Sequence, residues 1–477
     1  MELRNTLLHK KHTPASFDPK LRDYQNQDVG FLTSLKAKGV FNQQRVGKTP
    51  VTLVCLREMK QNKNIIVAPG SVTFQWLQEY KKWHSDNVKV LTSKLSSKER
   101  KEIIKTFTGT LIMSYGILRN HIDDLLKQQY DAMVVDEAHR LRNYKNMRDP
   151  RTPKMAKAVI KLGKATPNRY ALSGTPSPNK PENIFGILAF LFPDIFTSYW
   201  NFIDYYFEVK DIVINRDFDT IKQVTGFKNK NKERELQEFL ETISIQRKRK
   251  EVMPWLTEIK HEVISLEPTP KQGKYLEELR ETFEIEEEEL TTLNILERMI
   301  RERQIAIEPK LLGLNTKGVK TEWIKEYVAD YPEKSIIIVS TFTSYLNYLK
   351  KEILTDAVLL TGKVKDEQRG VIEEDFNNKK FNILLANLDV AKEGMKLYGA
   401  DTMIFIDTSL TYTDNEQCMD RVLPTTEDIA SEKDLQEILI LVTNTQIDLY
   451  LQNMFKEKKS KTDIINDYKR FLLRPVR

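Results

Sequence analysis

Apolar residues in this chain come in short, nearly unbroken runs, separated by longer segments in which they recur every three or four positions. Asn64-Ile65-Ile66-Val67-Ala68, Thr110-Leu111-Ile112-Met113-Ser114, Ala132-Met133-Val134-Val135 and Arg169-Tyr170-Ala171-Leu172-Ser173 are of the first kind. A strand-length run without polar alternation suits a strand covered on both faces, as in a parallel sheet. Val72 to Trp83 and Ser97 to Thr106 have helical spacing and a polar face. Strands alternating with helices predict a doubly wound α/β domain whose ligands bind at the C-terminal ends of the strands.

From about Asn183 the rhythm changes. Ile184 to Phe207 is apolar and aromatic with helical spacing, and Pro270 to about Ile307 is long, charged and helical. No strand pattern of similar strength lies between them, so a helical insertion is expected. Gly313-Leu314-Asn315-Thr316-Lys317-Gly318 reads as a linker. Strand-like runs then return at Ser335–Ser340, Ala357–Leu360, Phe381–Ala386, Thr402–Asp407 and Ile438–Val442. The expected organisation is an α/β lobe over 1–182, a helical insertion over 183–312 and a second α/β lobe over 313–477.

A length of 477 residues is ample for two such cores. The 75 Lys and Arg against 68 Asp and Glu leave a net charge of +7, compatible with a nucleic-acid partner without demanding one. The excess is clustered in His9–His12, Lys228–Arg234, Arg247–Lys250 and Lys456–Lys461, each of which taken singly reads as solvated surface. The acidic run Glu284–Glu289 reads as an exposed helix face. Cys55 and Cys418 build neither a disulfide framework nor a zinc site, and the six histidines lack ligand spacing, which points to a reducing interior. Met1-Glu2-Leu3-Arg4 opens no secretory leader, and Ile184–Phe192 is halted by Pro193-Asp194 before it could span a bilayer. A soluble cytoplasmic protein without a membrane partner is expected.

Two short motifs carry chemistry. In Arg45-Val46-Gly47-Lys48-Thr49 the glycine lets backbone approach a phosphate, and successive N–H groups at a helix start cradle its oxygens. Lys48 adds a positive charge and the Thr49 hydroxyl can ligate Mg²⁺. In Val134-Val135-Asp136-Glu137-Ala138-His139 a strand brings two carboxylates to its C-terminal edge. Asp136 would hold the magnesium through water, and Glu137 would orient and deprotonate the attacking water. Either motif alone is weak; in this order, within one predicted domain, they describe a site for ATP hydrolysis. Asn42 stands at the first position of the fuller GxxxxGK[ST] pattern, where glycine is usual.

With these motifs the chain resembles helicase superfamily two motors of the Swi/Snf type, in the short form found in phages and bacteria, from about Leu21 to Ile465. The resemblance implies two RecA-like lobes with a helical protrusion. It places Gln25 of Leu21-Arg22-Asp23-Tyr24-Gln25 where the family reads adenine, a role a side-chain amide can fill. Val67-Ala68-Pro69 and Ser114-Tyr115-Gly116 resemble loops that grip a DNA strand, and Ser173-Gly174-Thr175-Pro176 resembles the third motif, which couples ATP to DNA. Pro178-Asn179 through Phe185-Gly186-Ile187-Leu188 to Phe192-Pro193 is similar to the Swi/Snf continuation in particular. In the second lobe Ser340-Thr341-Phe342 resembles the fourth motif, with Gly362 and Arg369 in the loop after it. Lys392 and Glu393-Gly394-Met395-Lys396-Leu397 resemble the fifth, and Gln417-Cys418-Met419-Asp420-Arg421 the sixth. The implied DNA contacts are Pro69, Ser114, Tyr115, Ser173, Gly174, Thr175, Ser340 and Lys392. The implied nucleotide contacts are Gln25, Arg45, Val46, Gly47, Lys48, Thr49, Gly394, Gln417 and Arg421, the last as an arginine finger. The chain departs from the family at Arg45, where glycine is usual, and at Pro424, where a second arginine is expected.

The implied function is ATP- and Mg²⁺-dependent translocation by a monomer on double-stranded or branched DNA. Branch migration, fork remodelling or limited unwinding in phage or bacterial replication, recombination or repair would follow. Two other readings share these motifs: an RNA helicase or RNA-polymerase-associated remodeller, and a nucleotide-gated DNA-binding clamp with weak turnover.

Overall fold

The computed structural model describes residues 17–456 except 175, 178–179, 214–219, 257–258, 283, 286–289, 292–294 and 425–435. It divides into two compact units, Met1–Pro254 and Trp255–Arg477, each with its own parallel sheet.

The strands of the first unit are Ala37–Val40 (β1), Asn64–Ala68 (β2), Val88–Leu91 (β3), Thr110–Ser114 (β4), Ala132–Val135 (β5) and Asn168–Leu172 (β6). An antiparallel hairpin of Phe207–Val213 (β7) and Thr220–Phe227 (β8) follows, then the short Ser244–Ile245 (β9). The sheet order is β3-β4-β2-β5-β6-β1-β9, with every neighbouring pair parallel. The unbroken apolar runs explain its two covered faces. Ile65 and Val67 of β2 enter one core cluster, while Ile66 and Ala68 enter another. Since successive strand residues point to opposite faces, both must be packed. The sheet is doubly wound, as expected.

In the second unit Lys260–Leu266 (β10) precedes a small antiparallel pair, Glu284–Ile285 (β11) and Leu290–Thr291 (β12). Ile336–Ser340 (β13), Val358–Leu360 (β14), Ile383–Asn387 (β15), Thr402–Phe405 (β16) and Glu437–Thr443 (β17) complete a parallel sheet of order β10-β17-β16-β13-β15-β14. Ile337 and Val339 face one core cluster, Ile336 and Ile338 the other. This second parallel sheet is therefore also covered on both faces.

The stretch 183–312 differs from a purely helical insertion. It holds β7 to β12, and the division at Pro254–Trp255 falls inside it. Its strand β10 joins the sheet of the second unit, pairing with β17 from Lys260↔Glu437 to Leu266↔Thr443. Lys-His-Glu-Val-Ile-Ser-Leu lies at the sheet edge, so it carries no apolar run to reveal it. The expected long helix from Pro270 is two helices, Pro270–Thr282 and Ile295–Ile307. The acidic run begins in β11, where Glu284 pairs with Thr291, rather than on a helix face. The expected linker at 313–318 is packed: Leu314 is buried and both carboxylate oxygens of Glu308 accept the Gly318 N–H at 3.2 Å. A Cβ on Gly318 would lie 2.2 Å from the Ile307 carbonyl oxygen, so glycine is what permits that closeness. The apolar segment 184–192 forms a buried helix, Phe185–Leu191, and among the described residues no helix is long and apolar enough to cross a membrane.

β1 escapes a search for apolar runs because Lys38 and Gly39 interrupt it, yet it is wholly buried. Gly39 has a steric reason: a Cβ there would sit 2.6 Å from Ser244 Cβ in the adjoining β9. Lys38 has a cost. Its Nζ lies 4.3 Å from the Tyr170 ring centroid, with no hydrogen-bond partner among the described residues. Burial lowers its pKa from 10.5 to about 8. A lysine whose folded pKa is depressed destabilises the fold fully below pH 8, and the penalty fades as pH rises toward 10.5. At 1.36 kcal/mol per unit, the penalty at neutral pH is about 3 kcal/mol. Lys38→Met should raise the melting temperature at pH 7 and raise it less at pH 10. Thermal melts of both proteins at the two pH values check this; an unchanged or lower value at pH 7 would mean the ring face compensates the charge.

Candidate nucleotide site

Strand β1 runs into a loop, and the helix Lys48–Glu58 starts directly after Gly47. Gly47 has φ +87° and Arg45 φ +67°. The left-handed region costs a side-chain-bearing residue about 1–2 kcal/mol, so Arg45 holds strain where glycine would hold none. A Cβ on Gly47 would fall 2.0 Å from Gln25 Nε2. The helix Asp23–Thr33 thus lies against the loop, and the Tyr24 hydroxyl donates to the Val46 carbonyl at 3.2 Å. Gln25 accepts from Arg22 N at 3.0 Å and reaches the Val46 carbonyl at 3.5 Å. Its amide braces the loop at the place where adenine recognition was expected.

Lys48 Nζ donates to the carbonyls of Asn42 at 3.1 Å and Gln43 at 3.4 Å. A Cβ on Gly174 would lie 3.6 Å from this ammonium, so the turn after β6 meets the phosphate loop. Thr49, the second residue of the helix, is half-buried beside them. Asn42 is fully buried and bonded to Asp28, whose carboxyl is raised by burial and eased back by Arg247.

The turn after β5 carries the carboxylates. Asp136 Oδ1 accepts the Glu137 N–H at 2.9 Å and Oδ2 accepts the Trp76 indole N–H at 2.8 Å. Burial, then the charge of Glu137, raises the Asp136 pKa to about 6, against the opposing pull of Trp76 and Lys48. Glu137 has φ +51°, the kind of backbone strain that collects at functional sites. His139 Nδ1 lies 3.2 Å from Glu137 Oε2 and 3.3 Å from Ser173 Oγ, linking this turn to the one after β6. The Tyr115 hydroxyl donates to the Asp136 carbonyl, and burial pushes that phenol well above its usual pKa. Tyr115, expected at DNA, is buried and supports the carboxylate turn.

The arrangement suits a magnesium-bound triphosphate. It offers a loop that turns at Gly47 into a helix start, a lysine, a hydroxyl, and a carboxylate whose two oxygens each hold one donor. Thr49 and Asp136 would hold the metal.

Of the other expected contacts in this unit, Pro69 and Ser173 are buried, and Ser114 caps the helix Tyr115–Asn120 by accepting from Ile117 N at 3.4 Å. Thr175 lies outside the described residues. In the second unit Ser340 is buried and donates to Asp407 Oδ1 at 2.6 Å. Lys392 Nζ reaches Asp389 at 2.6 Å and Asp414 at 3.0 Å; burial opposes its charge, but these carboxylates raise its pKa overall. Arg421 Nη2 donates to the Lys392 carbonyl, and the Arg421 carbonyl accepts from Leu397 N at 2.8 Å. Gly394, φ +76°, turns the loop between them, while Gln417 is half-buried on the helix Tyr412–Met419. The fifth and sixth motifs therefore meet within this unit. Pro424 is buried.

Tyr24, Asp28, Trp76 and Arg247 had no place in the sequence reading as site residues. Trp76 stands 60 residues from Asp136 and Arg247 219 from Asp28, so spacing could not join them.

Comparison with known proteins supplies the family. The model of the SNF2-related domain matches residues 24–311, more than half of the chain, and that of the helicase conserved C-terminal domain matches 319–423. An uncharacterized ATP-dependent helicase of Mycoplasma pneumoniae is 25% identical over 92% of this chain and 41% of its own length. The DNA repair and recombination protein RAD54-like of Gallus gallus is 25% identical over 84% of this chain and 62% of its own. The chain thus spans less than two thirds of these relatives. A solved Sulfolobus solfataricus SWI2/SNF2 ATPase core in complex with dsDNA is 20% identical, covering 98% of this chain and 96% of that one, with a TM-score of 0.41.

The Trp76 indole fixes one oxygen of Asp136, and hydrogen bonds to charged groups contribute about 1.5–3 kcal/mol. Trp76→Phe keeps the ring packing and removes only that donor. It should weaken magnesium-nucleotide affinity about tenfold or more while the fold is retained. Calorimetric titration with circular dichroism on one preparation checks this; unchanged affinity would remove Trp76 from the site.

Proposed function

The chain belongs to the SNF2-related family, and from that premise we propose that it is an ATP-hydrolysing motor that translocates on duplex DNA. The observation that carries the proposal is the meeting of three turns, after β1, β6 and β5, which bring together Lys48, Gly174 and the Asp136–Glu137 pair.

In this reading the amides of residues 46–49 and the Lys48 ammonium hold the β- and γ-phosphate oxygens. Magnesium, when bound, neutralises charge on those oxygens. Glu137 takes a proton from water as the water attacks the γ-phosphorus and the bond to the bridging oxygen of ADP breaks. His139 keeps Glu137 oriented and connects it to Ser173, giving hydrolysis a route to the third motif. Arg421 supplies further positive charge in the transition state. Contacts to phosphates rather than bases suit movement along any sequence. Similarity to a DNA repair and recombination protein supports a role in DNA remodelling, for which branch migration, fork remodelling and limited unwinding are the forms we propose.

Lys48→Ala should abolish hydrolysis, whereas Glu137→Gln should retain ATP and block turnover. Nucleotide retention and phosphate release, measured with duplex DNA, branched DNA, single strands and RNA, test the whole reading. Strongest stimulation by RNA would replace DNA as the track, and feeble turnover with every nucleic acid would make the protein a nucleotide-gated clamp. Arg421→Ala should leave ATP affinity nearly intact and cut stimulated turnover by about 10³-fold. Normal kcat with a lowered melting temperature would instead confine Arg421 to holding the 392–397 loop.

A further inference from the structure

Asn42 replaces the usual first glycine of the phosphate loop, and Arg247 opens a basic run that would ordinarily be solvated surface. The two meet across 205 residues: Asn42 Oδ1 accepts the Arg247 backbone N–H at 2.8 Å. Asn42 Nδ2 donates to Asp28 Oδ2 at 3.1 Å. The Arg247 guanidinium donates from Nε at 2.9 Å and Nη2 at 2.8 Å, both to Asp28 Oδ1.

Backbone bonds continue the same contact. Beyond the paired strands β1 and β9, Phe41 N donates to the Ile245 carbonyl at 2.8 Å and Gln43 N to the Arg247 carbonyl at 3.0 Å. Arg249 N then donates to Gln43 Oε1 at 2.7 Å. Residues 245–249 thus run as an extra rail along the first half of the loop. The second half is held at Val46 by Tyr24 and Gln25, from the helix that also carries Asp28. Asp28 ties the rail to that helix.

We propose that Arg247, acting through Asp28 and Asn42, is a positioning residue that sets the nucleotide-binding shape of the phosphate loop. Asp28 has a fully buried side chain, and a buried carboxylate holds its place only when its hydrogen bonds are complete. Removing Arg247 leaves Asp28 short of two donors beside the loop, and relaxation of Asn42 would follow. The Arg247 side chain is itself one-third exposed, so its loss does not empty the core. Nucleotide affinity therefore depends on the segment through which the chain leaves the first unit. This deepens the reading of the site given above and rests on it.

The test uses the full chain, with Arg247→Met, Arg247→Lys, Asp28→Asn and the Arg247→Met/Asp28→Asn pair. A fluorescent ATP analogue with magnesium reports affinity, and amide hydrogen exchange reports the loop without needing nucleotide. Arg247→Met should weaken affinity at least tenfold and speed exchange at residues 42–48 at least tenfold, leaving β2 and β5 protected as in the parent. Arg247→Lys should fall between, and the pair should cost little more than either single change, since both break one network. Should Arg247→Met not fold, Arg247→Lys carries the same comparison. Parental affinity and exchange in a folded variant, or exchange raised evenly across the unit, would overturn the proposal. A parent chain that binds no analogue would overturn the nucleotide reading, while exchange at 42–48 would still decide whether Arg247 positions the loop.

Discussion

Parallel pairing of β5, β6 and β1 brings the C-terminal ends of these strands to one edge of the first sheet. The registers Val135↔Ala171 and Val40↔Leu172 end the three strands nearly level. Each must turn there, and each turn exposes backbone donors that regular sheet structure would have used. The turns supply Asp136 and Glu137, Ser173 and Gly174, and the loop before Lys48. Separated by up to 132 positions in the chain, these residues become neighbours because strand direction leaves them nowhere else to go.

The same unit shows two ways of burying a charge. Asp28 is surrounded by three donors from Asn42 and Arg247, so its burial serves to fix geometry. Lys38, one strand away from β9 in the same sheet, has a tyrosine face and no hydrogen bond among the described residues. The first is a connected network, worth its desolvation because it holds a loop. The second is a liability carried by a central strand. Asp136 stands between them, with one donor on each oxygen.

Several residues of the segments expected at nucleic acid turn their side chains inward. Tyr115 supports the Asp136 turn, Ser340 is bonded to Asp407, and Lys392 is paired with two carboxylates. What these segments can present outward is the shape of a turn and its backbone groups. That is suited to phosphate contacts, which position a nucleic acid without reading its sequence. Side chains in such motifs can thus act at one remove, by fixing the turn.

The chain's own patterning determined the two α/β units, most of their strands and the place of Gly47, Lys48, Thr49, Asp136 and Glu137 just beyond strand ends. These are local properties: an apolar run covered on both faces, or a functional group adjacent to a loop. Of the two parallel sheets, strands β1, β3, β9 and β10 were not legible, because Lys38, the interruption of β3 by Lys89, the brevity of Ser244–Ile245 and the polar edge residues of β10 remove the run that marks a buried strand. Tertiary structure alone decided that Trp76 donates to Asp136, that Arg247 reaches Asp28, and that Asn42 has a reason to replace glycine. Those bonds join residues up to 219 positions apart, and no periodicity encodes them. They arise only when packing removes water from a charged group and leaves it a single place to find a donor.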